Sequence, residues 1–374
     1  MKYFFVLVLF LFANKSFAYP EMIRHGYVNC MACHTTHQGG DMLSKYGREL
    51  GKELFSRNDS IFKAPNAEKN YWEIETPEWL RVGANVRLLQ TMTENSVASK
   101  GRFMFMQVDI DTLFKVSDKT IVYVSVGRYE PSKSDAEWRD FIYMPRAWAQ
   151  YSENWRGGAE AASLRAGRFY PVYGLNIAEH TYVTRRYLDF NPGQERVSAE
   201  LAWSNENYQV VATGLAQRAR FDKYDDEKGY VLQVSKVFGK TARAGVNIYR
   251  SKLSQQGGDQ DKAFEGIFAL IGWTPEISIL FQADKIYYPD GKTGFVDFLK
   301  LGYEYTQGVQ LFLTQEYYNA DTEKTDPHLE SYGIGVQYFP FPNFDFFATY
   351  KKTKDSSQLD EYQNVVWLIA HIYL

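Results

Sequence analysis

The chain has 374 residues, with 42 Lys and Arg against 45 Asp and Glu, a net charge of −3 and only two cysteines. That charge balance offers no basic footprint for nucleic acid, and two cysteines are too few to staple a chain of this length. It is 45% hydrophobic and 17% aromatic, with 28 tyrosines, yet its mean hydropathy is negative. Such a balance suits strands with one apolar and one polar face.

Residues 1–18 read as a secretory signal. Lys2 supplies the positive start, Tyr3 to Phe12 the apolar core, and the small residues ending at Ala18 the cleavage site, so the mature chain is expected to begin at Tyr19. No later stretch has the roughly 20 continuous apolar residues of a membrane helix, so a membrane location would require a barrel.

Both cysteines follow shortly, in "YVNCMACHTTH", residues 27–37. Two thiols two residues apart and followed at once by histidine form the attachment pattern of a c-type haem: one turn presents both sulfurs to the vinyl groups and the imidazole to the iron. Cys30 and Cys33 are the expected thioether residues and His34 the proximal ligand. A thioredoxin-like dithiol and a zinc site compete. The first lacks its usual β-α-β surroundings, and the second needs two more ligands, for which His25 and His37 are the neighbours. For the distal position His25 ranks first, with Gly26 allowing the chain to turn, and Met42, Met22 and His180 follow. His37 shares a helical face with His34 and reads as a solvated or propionate-contacting residue. Beyond it, Leu43, Tyr46, Leu50 and Leu54 are spaced as one apolar helix stripe, expected to fold over the porphyrin.

From Leu80 onward the period becomes two. In "MFMQVDIDTLF", Met104, Met106, Val108 and Ile110 alternate with Phe105, Gln107, Asp109 and Asp111; "ARAGVNIY" and "ISILFQAD" behave alike. Sixteen strands are expected, beginning near 80, 101, 119, 140, 161, 196, 207, 229, 240, 262, 275, 294, 308, 330, 343 and 362. Short connections alternate with long ones, and aromatic residues gather near strand ends. An antiparallel transmembrane barrel of about 16 strands predicts this pattern; a soluble sandwich does not account for strands of ten residues and more. The expected organisation is a signal peptide (1–18), a haem-bearing segment (19–75) plugging the periplasmic side or the lumen, and a barrel (76–374). Its last strand should turn Val366, Leu368, Ala370, Ile372 and Leu374 to lipid. The segment with Pro145, Arg146, Arg165 and Arg168 does not divide into two faces. The longest connection, 172–195, carries His180, Arg185 and Arg186 and is expected to be functional or to enter the lumen.

The order of signal peptide, single Cys-x-x-Cys-His, "YGREL" helix and barrel resembles the fused monohaem cytochrome-porins of bacterial outer membranes, a group that includes outer-membrane iron oxidases. The resemblance implies single-electron passage through haem c between an extracellular donor, acceptor or metal ion and periplasmic c-type cytochromes, in a barrel surrounded by membrane lipid. A diffusion porin with a haem-bearing gate or redox sensor, and a barrel that tethers a periplasmic cytochrome, remain open beside it.

Overall fold

The computed structural model describes residues 20–37, 39–57, 76–128, 142–155, 160–175, 177, 181–220, 223–255, 258–324, 328–356 and 359–373. The signal segment 1–18, the end of the expected haem segment (58–75), His180 and Leu374 lie outside the described residues.

Sixteen strands are described: β1 (Leu80–Glu94), β2 (Ser99–Lys115), β3 (Thr120–Arg128), β4 (Ile142–Trp155), β5 (Glu160–Phe169), β6 (Arg196–Asn205), β7 (Tyr208–Arg220) and β8 (Lys223–Phe238), then β9 (Ala242–Gln255), β10 (Gly258–Gly272), β11 (Ile277–Tyr287), β12 (Thr293–Thr306), β13 (Val309–Asn319), β14 (Leu329–Phe341), β15 (Phe344–Asp355) and β16 (Leu359–Tyr373). Each pairs antiparallel with its neighbours in sequence. β1 pairs with β16, from Asn85↔Tyr373 to Glu94↔Asn364, and closes the barrel. Closure leaves no unpaired sheet edge, which a hydrocarbon environment would not tolerate.

The barrel is inverted relative to a water-soluble fold. Its outward positions are apolar and exposed, and they meet across the ladders: Leu301 opposes Leu313, which opposes Ile334. Val246 likewise opposes Ile267. Its inward positions are buried and polar, among them Ser163, Glu200, Gln233, Asn247, Gln282 and Glu316. An apolar belt around a polar interior suits lipid outside and water or protein inside. Leu368, 49% exposed beside the buried Ile369, has the orientation expected for β16.

In β2 the alternation departs from expectation. Gln107 pairs with Arg87 but Phe105 with Leu88, so Met106 is an extra residue that switches faces. Phe103 and Phe105 therefore point outward, and Met104 and Met106 pack toward Leu89, Phe312 and Phe347 inside, the reverse of a continuous alternation. Two hairpins are also longer than expected. β8 opens at Lys223, paired with Arg220, and β10 at Gly258, paired with Gln255. The ladder continues into polar residues that read as loops.

The connections at 116–119, 206–207, 239–241, 273–276, 307–308 and 342–343 share one end of the barrel with the start of β1 and the end of β16. Residues 20–37 and 39–57 occupy the lumen at this short-turn end. From the opposite end the β5–β6 connection descends inside, as expected for its length, carrying a short helix α2 (Val183–Arg186). Its Tyr182, Val183 and Leu188 are fully buried against Leu280, Val296 and Phe298 of the wall. Arg185 donates to the carbonyls of Ile177 and Phe190, and the Arg186 guanidinium lies over the Tyr187 ring. These contacts of both arginines lie within the loop itself.

Candidate functional site: a cysteine–histidine turn docked in the lumen

Asn29 starts the motif by accepting a hydrogen bond from the Met31 amide (3.0 Å), which caps a single 3-10 turn, Cys30–Ala32. The Cys30 carbonyl then accepts from the amides of Cys33 (3.2 Å) and His34 (2.9 Å), so both thiols and the imidazole project from one turn. His34 forms a bridge with Leu43, and its Nδ1 lies 2.8 Å from the Gly40 carbonyl. A carbonyl only accepts, so Nδ1 carries the proton and Nε2 keeps its lone pair. Burial pushes the His34 pKa down against the opposing pull of the Gly40 carbonyl and Asp41, favouring the neutral, ligating form.

Helix α1 (Lys45–Leu50), capped by Ser44, packs directly on the turn and continues as a π turn, Gly51–Phe55. Gly47 makes this possible, since a Cβ there would sit 2.3 Å from the Cys33 carbonyl oxygen. Leu50 faces inward as expected. Tyr46 does not: it is 54% exposed and meets Tyr27, because the close approach at Gly47 turns the opposite face of the helix to the cysteine turn.

Cys30 and Cys33 are free thiols. Burial, with the neighbouring Cys30 adding to it, pushes the Cys33 thiol up to about 12. A thiol held protonated is a poor redox nucleophile at neutral pH. The two neighbouring histidines are both engaged. His25 Nε2 accepts from Arg24 Nε (3.1 Å) and lies 3.6 Å from the Glu304 carboxylate. His37 is fully enclosed between Gln209, whose amide reaches Nδ1 (2.8 Å), and Ser163 Oγ, 3.0 Å from Nε2. It is therefore not a solvated residue but a docking one. An amide donor on Nδ1 leaves the proton on Nε2, and burial, with the charges of Arg165 and Arg243, depresses the pKa to about 3. Two thiols and an imidazole with a lone pair at Nε2, on one capped turn, fit a c-type haem.

The remaining distal candidates are placed as follows. Met42 packs against Leu113, Tyr123, Trp148 and Phe169 of the wall, and Met22 is buried in the first turn, Pro20–His25. Gly26 adopts φ 90°, which makes the turn after His25.

Apart from the apolar seat of Met42, docking of this segment is largely polar. Lys300 of β12 reaches Glu21 (2.6 Å), Arg146 of β4 reaches Asp41 (2.6 Å), and Arg24 pairs with Glu304 of β12. Arg165 stands 3.8 Å from Asp41 and pairs with Glu200 (2.8 Å). Arg168 pairs with Glu195 (3.0 Å). The arginines that blurred the β4 and β5 pattern thus point into the lumen to compensated charges. At Gly272 of β10 a Cβ would lie 2.0 Å from Arg24 Cα, so wall and segment meet backbone to backbone. The Gln307 side chain donates to the carbonyls of Glu53 and Ser56. Asp41, Ser163, Gln209, Gly272 and Lys300 carry no local signature of this role.

No protein-family model and no curated relative matches the chain. Solved structures do match in fold. OmpF of Salmonella typhi, in complex with daunomycin, superposes with TM-score 0.58 at 10% identity, over 79% of this chain and 97% of that one. The outer membrane channel DcaP of Acinetobacter baumannii gives 0.57 at 12% identity, over 79% and 97%. An anion-selective porin from Comamonas acidovorans gives 0.56 at 10% identity, over 79% and 99%. The fold is therefore that of a 16-stranded porin-like barrel.

Proposed function

We propose that the protein is an outer-membrane electron conduit whose single haem c is carried by Cys30, Cys33 and His34 inside the short-turn mouth of the barrel. The observation that carries this reading is the docking of the Cys-x-x-Cys-His turn within the lumen, on charge pairs contributed by β4 and β12 and on the buried His37. A covalent haem supplies reversible one-electron storage. The chain's own residues hold the segment at the mouth, keep His34 neutral with Nε2 available, and enclose Cys33. Periplasmic c-type cytochromes would meet the short-turn end, and an extracellular donor, acceptor or metal ion the long-loop end. His25 remains the proposed distal ligand; its Nε2 would exchange the contact with Arg24 and Glu304 for the metal.

Haem staining of the outer-membrane fraction, with a pyridine spectrum of the purified chain, tests the cofactor. One haem per chain, lost in Cys30→Ser/Cys33→Ser, supports the reading; an intact barrel without haem sinks it.

A second reading, a diffusion channel gated by the N-terminal segment, is favoured by the channels and porins among the fold's neighbours. It is favoured also by a cavity of about 450 Å³ between the inward loop and β13–β16, lined by Arg186, Glu316, Lys351 and Trp367. Solute leakage from liposomes that rises sharply when residues 20–57 are removed would favour a gate.

A further inference from the structure

Most buried charges of the lumen are compensated by a carboxylate or an ammonium, but Arg243 differs. It is second in β9, at the short-turn end, and only 5% exposed. Nε donates to Ser235 Oγ (3.0 Å), Nη2 to the Gln209 and Gln233 side-chain oxygens, and Nη1 to the Val28 carbonyl (3.3 Å). Nη1 also approaches Cys30 Sγ at 3.9 Å, and the guanidinium lies 5.8 Å from the Phe268 ring centroid. Among the described residues no carboxylate pairs with it. Its hydrogen bonds are satisfied while its charge is met by neutral groups alone. A buried cation in that state is costly, and an anion or added electron density beside it would relieve the cost.

The same residue reaches the docking histidine, since Gln209 accepts from Arg243 and donates to His37. Position, burial and partner set thus combine in one fixed positive charge that touches the first cysteine of the motif. Resting on the haem reading above, we infer that Arg243 is a positioning residue that raises the reduction potential of the group carried at Cys30 and clamps the turn through the Val28 carbonyl. A fixed cation disfavours the more positive, ferric state. In a medium of effective permittivity near 20, a unit charge within about 10 Å shifts an equilibrium by on the order of tenfold.

The test is a spectroelectrochemical titration of the full-length haem-loaded protein in detergent, with thermal melting run alongside. Arg243→Gln removes the charge. Ser235→Asp leaves it in place and sets a carboxylate against it, and so remains informative where the glutamine variant fails to fold. Both should lower the midpoint by the equivalent of about tenfold in the ferric-to-ferrous ratio, about 59 mV for one electron. Arg243→Lys should keep most of the wild-type value. Haem-loaded variants that melt earlier but titrate at the wild-type midpoint would reduce Arg243 to a structural clamp and overturn the inference. A purified chain with no haem would overturn the cofactor reading itself, and this inference with it.

Discussion

Two segments enter the lumen from opposite ends, and the balance of forces that holds each is different. The β5–β6 connection is buried through apolar and aromatic contact: Tyr182 lies on Phe298 with centroids 4.6 Å apart, and Tyr173 stacks on Phe190 at 5.4 Å. The N-terminal segment is held mainly by ion pairs, one enclosed histidine and a backbone contact at Gly272, with Met42 seated among Leu113, Tyr123, Trp148 and Phe169 as its apolar anchor. Apolar burial makes the loop part of the barrel's core, whereas polar docking makes the N-terminal segment an attached element whose hold responds to charge and pH.

Breaking the apolar side should have the largest effect. Tyr182→Ala is expected to cost about 3–5 kcal/mol of barrel stability, by analogy with other large aromatic truncations, read as a lower denaturant midpoint in detergent. On the polar side, Asp41→Asn should weaken docking by about 2 kcal/mol while leaving the barrel intact. The cost falls short of a fully orphaned buried cation because Arg146 also faces Asp109 (3.6 Å) and Asp111 (3.7 Å). Faster proteolysis of residues 20–57, with unchanged heat resistance of the barrel, is the expected signature.

pH should sharpen the contrast. The His37 pKa falls from 6.5 to about 3 on docking, so between those values the undocked segment binds the extra proton. Docking stability from this group is complete above pH 6.5 and declines as pH falls toward 3, at up to roughly 1.4 kcal/mol per pH unit. His37→Gln should flatten that decline in a protease-protection assay, and an unchanged slope would assign it to the carboxylates instead. Gly47→Ala sets a Cβ 2.3 Å from the Cys33 carbonyl oxygen, a backbone clash that α1 must shift to relieve, and should cost about 1–3 kcal/mol of docking. Near-ultraviolet dichroism of the docked segment would report it.

The barrel was legible because lipid and lumen impose opposite preferences on alternate residues, and that alternation survives in the composition of each strand. The bulge at Met106 was not legible, since one extra residue leaves the local mixture of Met, Phe and Val unchanged. The hairpin extensions at Lys223 and Gly258 escaped because a ladder that leaves the apolar belt loses the apolar half of its signal. The cysteine turn was readable from spacing alone. A plug at the barrel mouth or lumen was expected, but its docking partners were not legible: His37 meets partners 126 and 172 residues away, and Ser163 and Gln209 are ordinary lumen residues until the barrel closes. The expectation of a solvated His37 failed for that reason. The unassigned arginines at 146, 165 and 168 were the one available clue, because a charge placed in a membrane strand calls for a partner inside.

Electron passage through a barrel whose mouth holds the cysteine turn is tested most directly in liposomes that contain the purified protein and a trapped redox dye. External reductant should reduce the dye with the wild-type chain and leave it oxidised with Cys30→Ser/Cys33→Ser, while small-solute leakage stays equal in both. Equal dye reduction in both chains, or an oxidised dye in wild-type vesicles that leak solutes freely, would contradict the conduit.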